Sequence, residues 1–257
     1  MHTMLEKLWD MILHSTHCSV FTGAGVSTLS GIRDFRGSNG IYASDWHGLE
    51  VEKILSLDFF LEDPSVFYTW AREFVYRLQD YQSSVVHVVL AEMENKGFIK
   101  GVYTQNIDLL HQKGGSHHVW ELHGSPAHHH CLSCGAEYPY SVIAPLVLAN
   151  QVPHCNQCQG IIKPDIVFYG EQLDNSLLAK TGQELAESDL LLILGSSLTV
   201  NPAASLPMHT WYHGGKIVIV NAQSTPLDRY ATLLFTDLKE TFEFLQDRLS
   251  RSPSRLG

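Results

Sequence analysis

The run LLLIL at Leu190–Leu194 is apolar at every position and passes directly into the polar segment GSSLTVNP. A run this short, with no polar face, reads as a strand covered on both sides. Lys216–Val220 repeats the pattern and ends at Asn221. Doubly buried strands belong to parallel sheets, and successive parallel strands need a crossover, usually a helix. The rest of the chain supplies both. Short β-like stretches fall at Cys18–Thr22, 101–104, 118–122 and 165–168, and helix-like stretches at 1–14, 84–95, 176–187, 202–212 and 238–249. The expected fold class is α/β, an open parallel sheet with helices on both faces.

Local signals sharpen several elements. Leu5, Leu8, Trp9 and Ile12 form an apolar stripe at helical spacing, so residues 1–14 read as an amphipathic helix and not as a signal peptide. Asp63 before Pro64 reads as an N-cap with proline at the first helical position, and Phe67, Trp70, Phe74 and Leu78 line one face behind it. Asn201 is expected to cap the 202–212 helix and Pro207 to bend it. His87 lies on the apolar side of 84–95 and reads as a packed core histidine; residues 250–257 read as a disordered tail.

The polar and glycine-rich segments mostly follow strands: GAGVS, TQNID, HG, YGE, GSS and Asn221. Ligands of an open α/β sheet bind at the carboxyl ends of its strands, so these segments are expected to converge on one cleft. The first, residues 23–37, reads GAGVSTLSGIRDFRG. Gly23 and Gly25 carry no Cβ and let the backbone approach a pyrophosphate, with free amides of the turn, or of a helix start just after it, as anion ligands. Thr28 stands where the dinucleotide fingerprint has its third glycine, so alone this is equally a plain glycine-rich turn. Arg33, Asp34, Phe35 and Arg36 then place two cations, an anion and an aromatic ring at four successive positions, and the ring suits a lid over a ligand better than a solvated loop.

The five cysteines divide unequally. Cys131-x-x-Cys134 and Cys155-x-x-Cys158, separated by residues 135–154, have zinc-ribbon spacing. Four thiolates close a tetrahedral shell, so a single zinc ion there is structural and staples a lobe too small to bury its own core. Cys18, in the first strand, reads as a small buried hydrophobe, and the histidines at 128–130 as a solvated polar stretch. The formal net charge of −10 argues against a general nucleic-acid binder and suits a cationic partner such as a lysine-rich protein. No apolar run reaches the roughly 18 residues of a membrane span. Metal-type cysteine pairs without an export signal imply a cytoplasmic setting.

Gln105, Asn106 and Asp108 add amide groups and a carboxylate, which can read a carboxamide ring or a ribose. His123 follows a strand and precedes Gly124, which leaves room around an imidazole suited to general-base work. Each has an ordinary reading, a helix N-cap for Asp108 and a surface histidine for His123. Their company with the glycine loop favours a shared cleft.

Taken in order, Gly23-Ala24-Gly25-Val26-Ser27, Asp34-Phe35-Arg36-Gly37, Thr104-Gln105-Asn106-Ile107-Asp108, His123-Gly124, the four paired cysteines, Phe168-Tyr169-Gly170-Glu171, Gly195-Ser196-Ser197 and Asn221 resemble the sirtuins of bacterial type, NAD-dependent protein lysine deacylases. The resemblance covers nearly the whole chain. It implies a Rossmann-like domain of residues 1–42, 96–124 and 164–257, a helical insert of 43–95 and a zinc-ribbon module of 125–163, the last two forming a smaller lobe. NAD and an acetyl-lysine peptide would enter the cleft between lobes from opposite sides. By resemblance, Gly23, Ala24, Gly25, Ser27, Thr28, Asp34, Phe35 and Arg36 line the nucleotide site, and Gln105 meets the ribose. Asn106, Ile107 and Asp108 form the nicotinamide pocket, while Gly195, Ser196, Ser197, Asn221 and a residue near Leu238 hold the adenosine end. Val167, Phe168 and Gly170 flank the lysine tunnel, where the substrate backbone pairs as an added strand. His123 would be the base, with Asn106 and Asp108 beside it, and the products would be nicotinamide, O-acyl-ADP-ribose and free lysine.

Relatives that prefer succinyl or malonyl groups carry a Tyr-x-x-Arg pair. Here Ala71 lies three positions after Tyr68 and Arg72 is out of register, so a neutral acyl group, acetyl first, is expected. Ser83-Ser84 stand where many relatives have Pro-Asn. Two alternatives stay open: mono-ADP-ribosyl transfer to protein, and a non-catalytic zinc module that senses NAD or ADP-ribose. A dehydrogenase is disfavoured by the missing third glycine, a zinc hydrolase by the closed thiolate shell, and a serine hydrolase by the lack of a G-x-S-x-G elbow.

Overall fold

The computed structural model describes residues 2–34, 40 and 45–255, so the expectations for Phe35 and Arg36 lie outside the described residues. Its strands are β1 (Cys18–Thr22), β2 (Val102–Thr104), β3 (Val119–Glu121), β4 (Gly124–Cys131), β5 (Glu137–Pro139), β6 (Ile162–Ile166), β7 (Leu190–Leu194), β8 (Lys216–Val220) and β9 (Ala231–Phe235). Six of them form one sheet in the order β3-β2-β1-β7-β8-β9, and every neighbouring pair is parallel. The winding starts at β1, proceeds outward to β3, then returns and proceeds outward from β7 to β9. This is the doubly wound order whose direction reverses at β1 and β7, the place where such sheets bind ligands. Thr22 pairs with Leu194, so the two central strands end level and deliver Gly23 and Gly195 side by side.

The helices are α1 (His2–His14), α2 (Gly25–Thr28), α3 (Val51–Ile54), α4 (Leu57–Glu62), α5 (Pro64–Phe74), α6 (Val85–Asn95), α7 (Leu110–Lys113), α8 (Tyr140–Leu148), α9 (Asn175–Glu187), α10 (Met208–Tyr212) and α11 (Leu238–Ser250). Among the described residues no helix is long and apolar enough to cross a membrane. The unbroken LLLIL run is explained by the two faces of the sheet. Leu190, Leu192 and Leu194 pack with Leu5, Leu8 and Ile12 of α1, Val89 and Met93 of α6, and Phe242 and Leu245 of α11. Leu191 and Ile193 point the other way, into a cluster with Phe21, Tyr103, Ile217, Ile219 and Leu185 of α9. Side chains alternate along a strand, so apolar cover on both faces demands an apolar residue at every position. Each such burial stabilises by about 2 kcal/mol.

A separate core belongs to the smaller lobe. Val51, Ile54, Phe60, Phe67, Trp70 and Tyr76 meet Ile143 and Val147 of α8, Ile162 and Ile166 of β6, and the side chains of Cys131 and Cys155. The antiparallel sheet β5-β4-β6 carries this ribbon. The ribbon therefore shares a core with α3 to α5 instead of lacking one. Asp63 caps α5 by accepting from the Ser65 amide, with Pro64 at the first turn, as its sequence suggests.

Several elements depart from expectation. Val86, Val89, Leu90 and Met93 of α6 lie in the large-sheet core, so the segment 43–95 divides between the two cores. Residues 202–212 split into a 3-10 turn at Ala203–Ser205 and α10, because Pro207 has no amide to donate; the turn begins at Pro202 and no side chain caps it. The strand expected at 165–168 is β6, displaced toward the N-terminus. The tail is anchored over its described part: the Arg255 guanidinium donates to the carbonyls of Ser15 and Ile12, both at 3.0 Å, and lies over the Phe98 ring. A cation there satisfies carbonyls that the end of α1 leaves without intrahelical donors.

Candidate active site

A cleft of about 920 Å³ opens where β1, β2 and β7 end and where β3 passes into β4. Its size is at the upper end for small-molecule sites. From the first loop it receives Gly23, Ala24, Gly25, Thr28 and Asp34, and from the end of β2 Gln105, Asn106 and Ile107. His123 lines it, as do Val167, Phe168 and Gly170 on one side and Gly195, Ser196, Ser197, Asn221 and Leu238 on the other. Ser27 and Asp108 open instead on an adjoining pocket of about 40 Å³ that shares Ala24, Asn106 and Ile107 with the cleft. Segments far apart in the chain thus meet at the reversal of the sheet.

The glycines of the turn have a packing role that the sequence did not show. A Cβ on Gly25 would lie 2.7 Å from the Gly195 Cα, and one on Gly23 would lie 2.8 Å from the Gly195 carbonyl oxygen. Gly195 itself has φ +59, and its Cβ would strike the Val26 nitrogen at 2.5 Å. The two loops interlock backbone to backbone. Four amides of the turn are engaged within the protein: Gly23 donates to Leu194, Gly25 to Gly195, Val26 to Gly23 and Ser27 to Ala24. Gly124 is similar, since its Cβ would meet the Asp165 carbonyl at 2.0 Å; its lack of a side chain permits β4 to pair with β6.

Ser27 ties Asn106 and Asp108 together. Its hydroxyl donates to Asp108 Oδ2 at 2.6 Å, and Asn106 Nδ2 donates to the Ser27 hydroxyl and to the Gly23 carbonyl, both at 3.2 Å. Asp108 Oδ1 accepts from the Leu110 amide at 2.9 Å, so this carboxylate both starts α7 and faces the small pocket. Burial pushes its pKa up, while the bonds from Ser27 and Leu110 pull it down. Leu109 between them has φ 60, a left-handed conformation uncommon for leucine.

Gln105 and His123 face the main cleft. Ser196 Oγ donates to Gln105 Oε1 at 2.8 Å, which fixes the amide, while Gln105 Nε2 is buried with no hydrogen-bond partner among the described residues. An orphaned donor in a cleft wall fits a ligand oxygen. His123 Nδ1 lies 2.9 Å from the Gln105 carbonyl oxygen. A carbonyl can only accept, so Nδ1 carries a proton, and in the neutral ring the lone pair is on Nε2. The backbone of His123 joins the two sheets: Leu122 donates to Thr104 in the large sheet, and the His123 carbonyl accepts from Val167 beyond β6.

Some wall residues carry no sequence signal as site residues. Trp70, Phe74 and Leu78 line the small pocket, which also receives Arg33 of the charged segment, its guanidinium 6.0 Å from the Phe74 ring centre. The Trp70–Phe74–Leu78 stripe gives burial from its period but not the identity of what it faces. Leu55, Leu173 and Val200 line the cleft from loops without a distinctive motif. Tyr68 and Arg72 stand away from it: the Tyr68 hydroxyl donates to the Ile162 carbonyl and Arg72 donates to Asn150 Oδ1 at 2.7 Å.

The sulfurs of Cys131, Cys134, Cys155 and Cys158 lie within 4.8 Å of one another. The Cys131–Cys158 and Cys134–Cys155 separations are 3.5 and 3.6 Å. Thiolates about 2.3 Å from a zinc ion at tetrahedral angles stand about 3.8 Å apart, so the donor set fits one structural zinc. The Tyr138 hydroxyl donates to Cys155 Sγ at 3.1 Å, the kind of outer contact that orients a metal ligand.

Residues 23–202 match the model of the Sir2 family. A curated NAD-dependent protein deacetylase of Thermotoga maritima is 40% identical over 231 residues, covering 90% of this chain and 92% of the relative. One of Staphylococcus aureus is 39% identical over 238 residues, covering 92% and 95%. Among solved structures, a Sir2 variant with deacetylated p53 peptide and 3'-O-acetyl ADP-ribose aligns with a TM-score of 0.87 at 39% identity, over 95% of this chain and 98% of that one. A Sir2 complex with p53 peptide and NAD+ gives 0.84 at 38% identity, over 96% and 97%.

Proposed function

The chain belongs to the Sir2 family, and on that premise we propose how its cleft removes acetyl groups from protein lysines at the expense of NAD. Bound NAD would supply a ribose carbon open to attack and nicotinamide as leaving group, and with one water consumed the products are nicotinamide, O-acyl-ADP-ribose and free lysine. Asn106, Ile107 and Asp108 hold the carboxamide end in the small pocket, whose apolar wall of Trp70, Phe74 and Ile107 excludes water. Gln105 Nε2 donates to a ribose hydroxyl. Ser197, Asn221 and Leu238 take the adenosine end, and Val167, Phe168 and Gly170 take the acyl-lysine peptide. His123 Nε2 accepts the ribose hydroxyl proton as general base. The observation that carries this reading is the Nδ1–H bond to the Gln105 carbonyl, which fixes the required tautomer beside the ribose-facing amide.

Tyr68 and Arg72 are engaged in the small lobe, which supports neutral acyl groups as substrates. A reducing, cytoplasmic compartment suits four zinc-binding thiols. Mass spectrometry of an acetyl-lysine peptide with and without NAD tests the reaction. His123→Ala should lower turnover by about 10²-fold or more while NAD binding persists. Undiminished turnover would remove His123 from its role as base. Nicotinamide release that depends on the acyl-peptide separates catalysis from mere sensing.

A further inference from the structure

Lys163 is a cation with almost no access to water, 2% exposed, in the middle of β6. A buried ammonium is costly unless its donors are satisfied and its charge is paired. Here both conditions hold. Lys163 Nζ donates to the carbonyls of Ile166 at 2.8 Å and Pro164 at 3.2 Å, and pairs with Glu171 Oε2 at 2.9 Å. Burial pulls its pKa below the ordinary lysine value, and Glu171 and Asp165 pull it back. Replacing such a pair by apolar residues of similar volume is often neutral or stabilising, so stability alone does not account for it.

What the pair touches is Phe168. The ammonium lies 4.1 Å from the centre of the Phe168 ring, and the carboxylate oxygen that holds the ammonium also accepts the Phe168 amide at 2.7 Å. The Phe168 carbonyl accepts from the Glu171 amide at 3.0 Å. The flanking residues are fixed by other bodies: Val167 donates to the His123 carbonyl, and Tyr169 donates to Leu55 and accepts from Leu57. Three successive amides are thus held by the His123 turn, by the ion pair and by the smaller lobe. Phe168 and Glu171 line the cleft, and Lys163 does not.

We infer that Lys163 and Glu171 are positioning residues for the acyl-lysine, bracing Phe168 by ring and amide so that the peptide-side wall of the cleft is preformed. The inference rests on the assignment of Val167, Phe168 and Gly170 to the substrate. Lys163→Met keeps the volume and removes the charge. Glu171→Gln keeps an oxygen for the Phe168 amide and removes the charge that holds Lys163.

Binding of a labelled acetyl-lysine peptide, read by fluorescence anisotropy, tests the pair without turnover. Kd should rise about tenfold in Lys163→Met and about threefold in Glu171→Gln, and the double variant should be no worse than Lys163→Met, as for two groups acting as a unit. In turnover, peptide KM should follow Kd while the NAD KM stays within about twofold of the parent. Unchanged peptide Kd in folded, zinc-loaded variants overturns the inference, as does a parallel rise in NAD KM. Glu171 is partly exposed, so if Lys163→Met does not fold, Glu171→Gln decides the matter on its own. A parent protein that binds the peptide but releases no nicotinamide would count against the proposed reaction, and the binding comparison would still judge the pair.

Discussion

At the glycine turn, Gly23, Gly25 and Gly195 make room for one another before they make room for any ligand. The Gly25→Ala methyl would press on the Cα and carbonyl of Gly195, backbone atoms that cannot swing aside. Overpacking of that kind costs about 1–3 kcal/mol, and here it would also part the two loops that frame the cleft. The urea midpoint should fall, and calorimetric titration with ADP-ribose should show binding weakened or lost. Unaltered binding would mean that the two loops tolerate separation. The sequence marked these glycines but did not show their partner within the protein, because the atoms that crowd them follow β7, far along the chain. Ser27 and Asp108 show the same limit. Both residue types were visible as polar groups near a turn, but their mutual bond depends on β1 and β2 lying side by side.

At the scale of elements, the ribbon was readable from cysteine spacing and its core was not. Periodicity says that a face of α5 is buried; it does not say that Phe67 and Trp70 pack in the same cluster as Cys131 and Cys155. This shared core has a consequence. Metal affinity of structural sites is folding energy for the surrounding lobe, about 10 kcal/mol or more in small zinc domains. Chelation, or Cys155→Ser, should release one zinc ion per chain and loosen the helices packed on the ribbon. Trp70, 1% exposed, should then report the change by a red shift in fluorescence. Amides of β1, β7 and β8 should keep their exchange protection, because their cores on the two faces of the large sheet contain no ribbon residue. Loss of protection across both lobes in one step would show instead that they unfold as a single unit.

The whole molecule folds around buried neutral histidines, and that sets its response to acid. Of the 15 histidines, His87 was readable as a core residue from its helix face, whereas His129, expected in a solvated stretch, and His111 are buried by strand order and helix packing. His87, on α6, accepts the Ser84 amide at Nδ1 and is held by burial at a pKa of about 4. His129, on β4, bonds the Tyr76 hydroxyl and is also held at about 4, again mainly by burial. His111, whose ring lies 4.7 Å from that of His87, is lowered for the same reason. In the unfolded chain these groups titrate near 6.5. Between about pH 6.5 and 4 the unfolded state therefore binds protons that the native state refuses, and stability falls as pH falls. Above that window the full stability is present. His87 and His129 each remove about 3 kcal/mol by pH 4, which together is comparable to the 5–15 kcal/mol of an ordinary domain. Urea midpoints measured from pH 8 down to 5 should decline steadily. His87→Asn retains an oxygen for the Ser84 amide and cannot titrate, so its decline should be shallower than the parent's. Thiolate protonation releases zinc equally in both proteins, and the difference between the two slopes isolates the imidazole. Equal slopes would mean that His87 takes up its proton at the same pH in the folded and unfolded chains, so that burial does not lower its pKa.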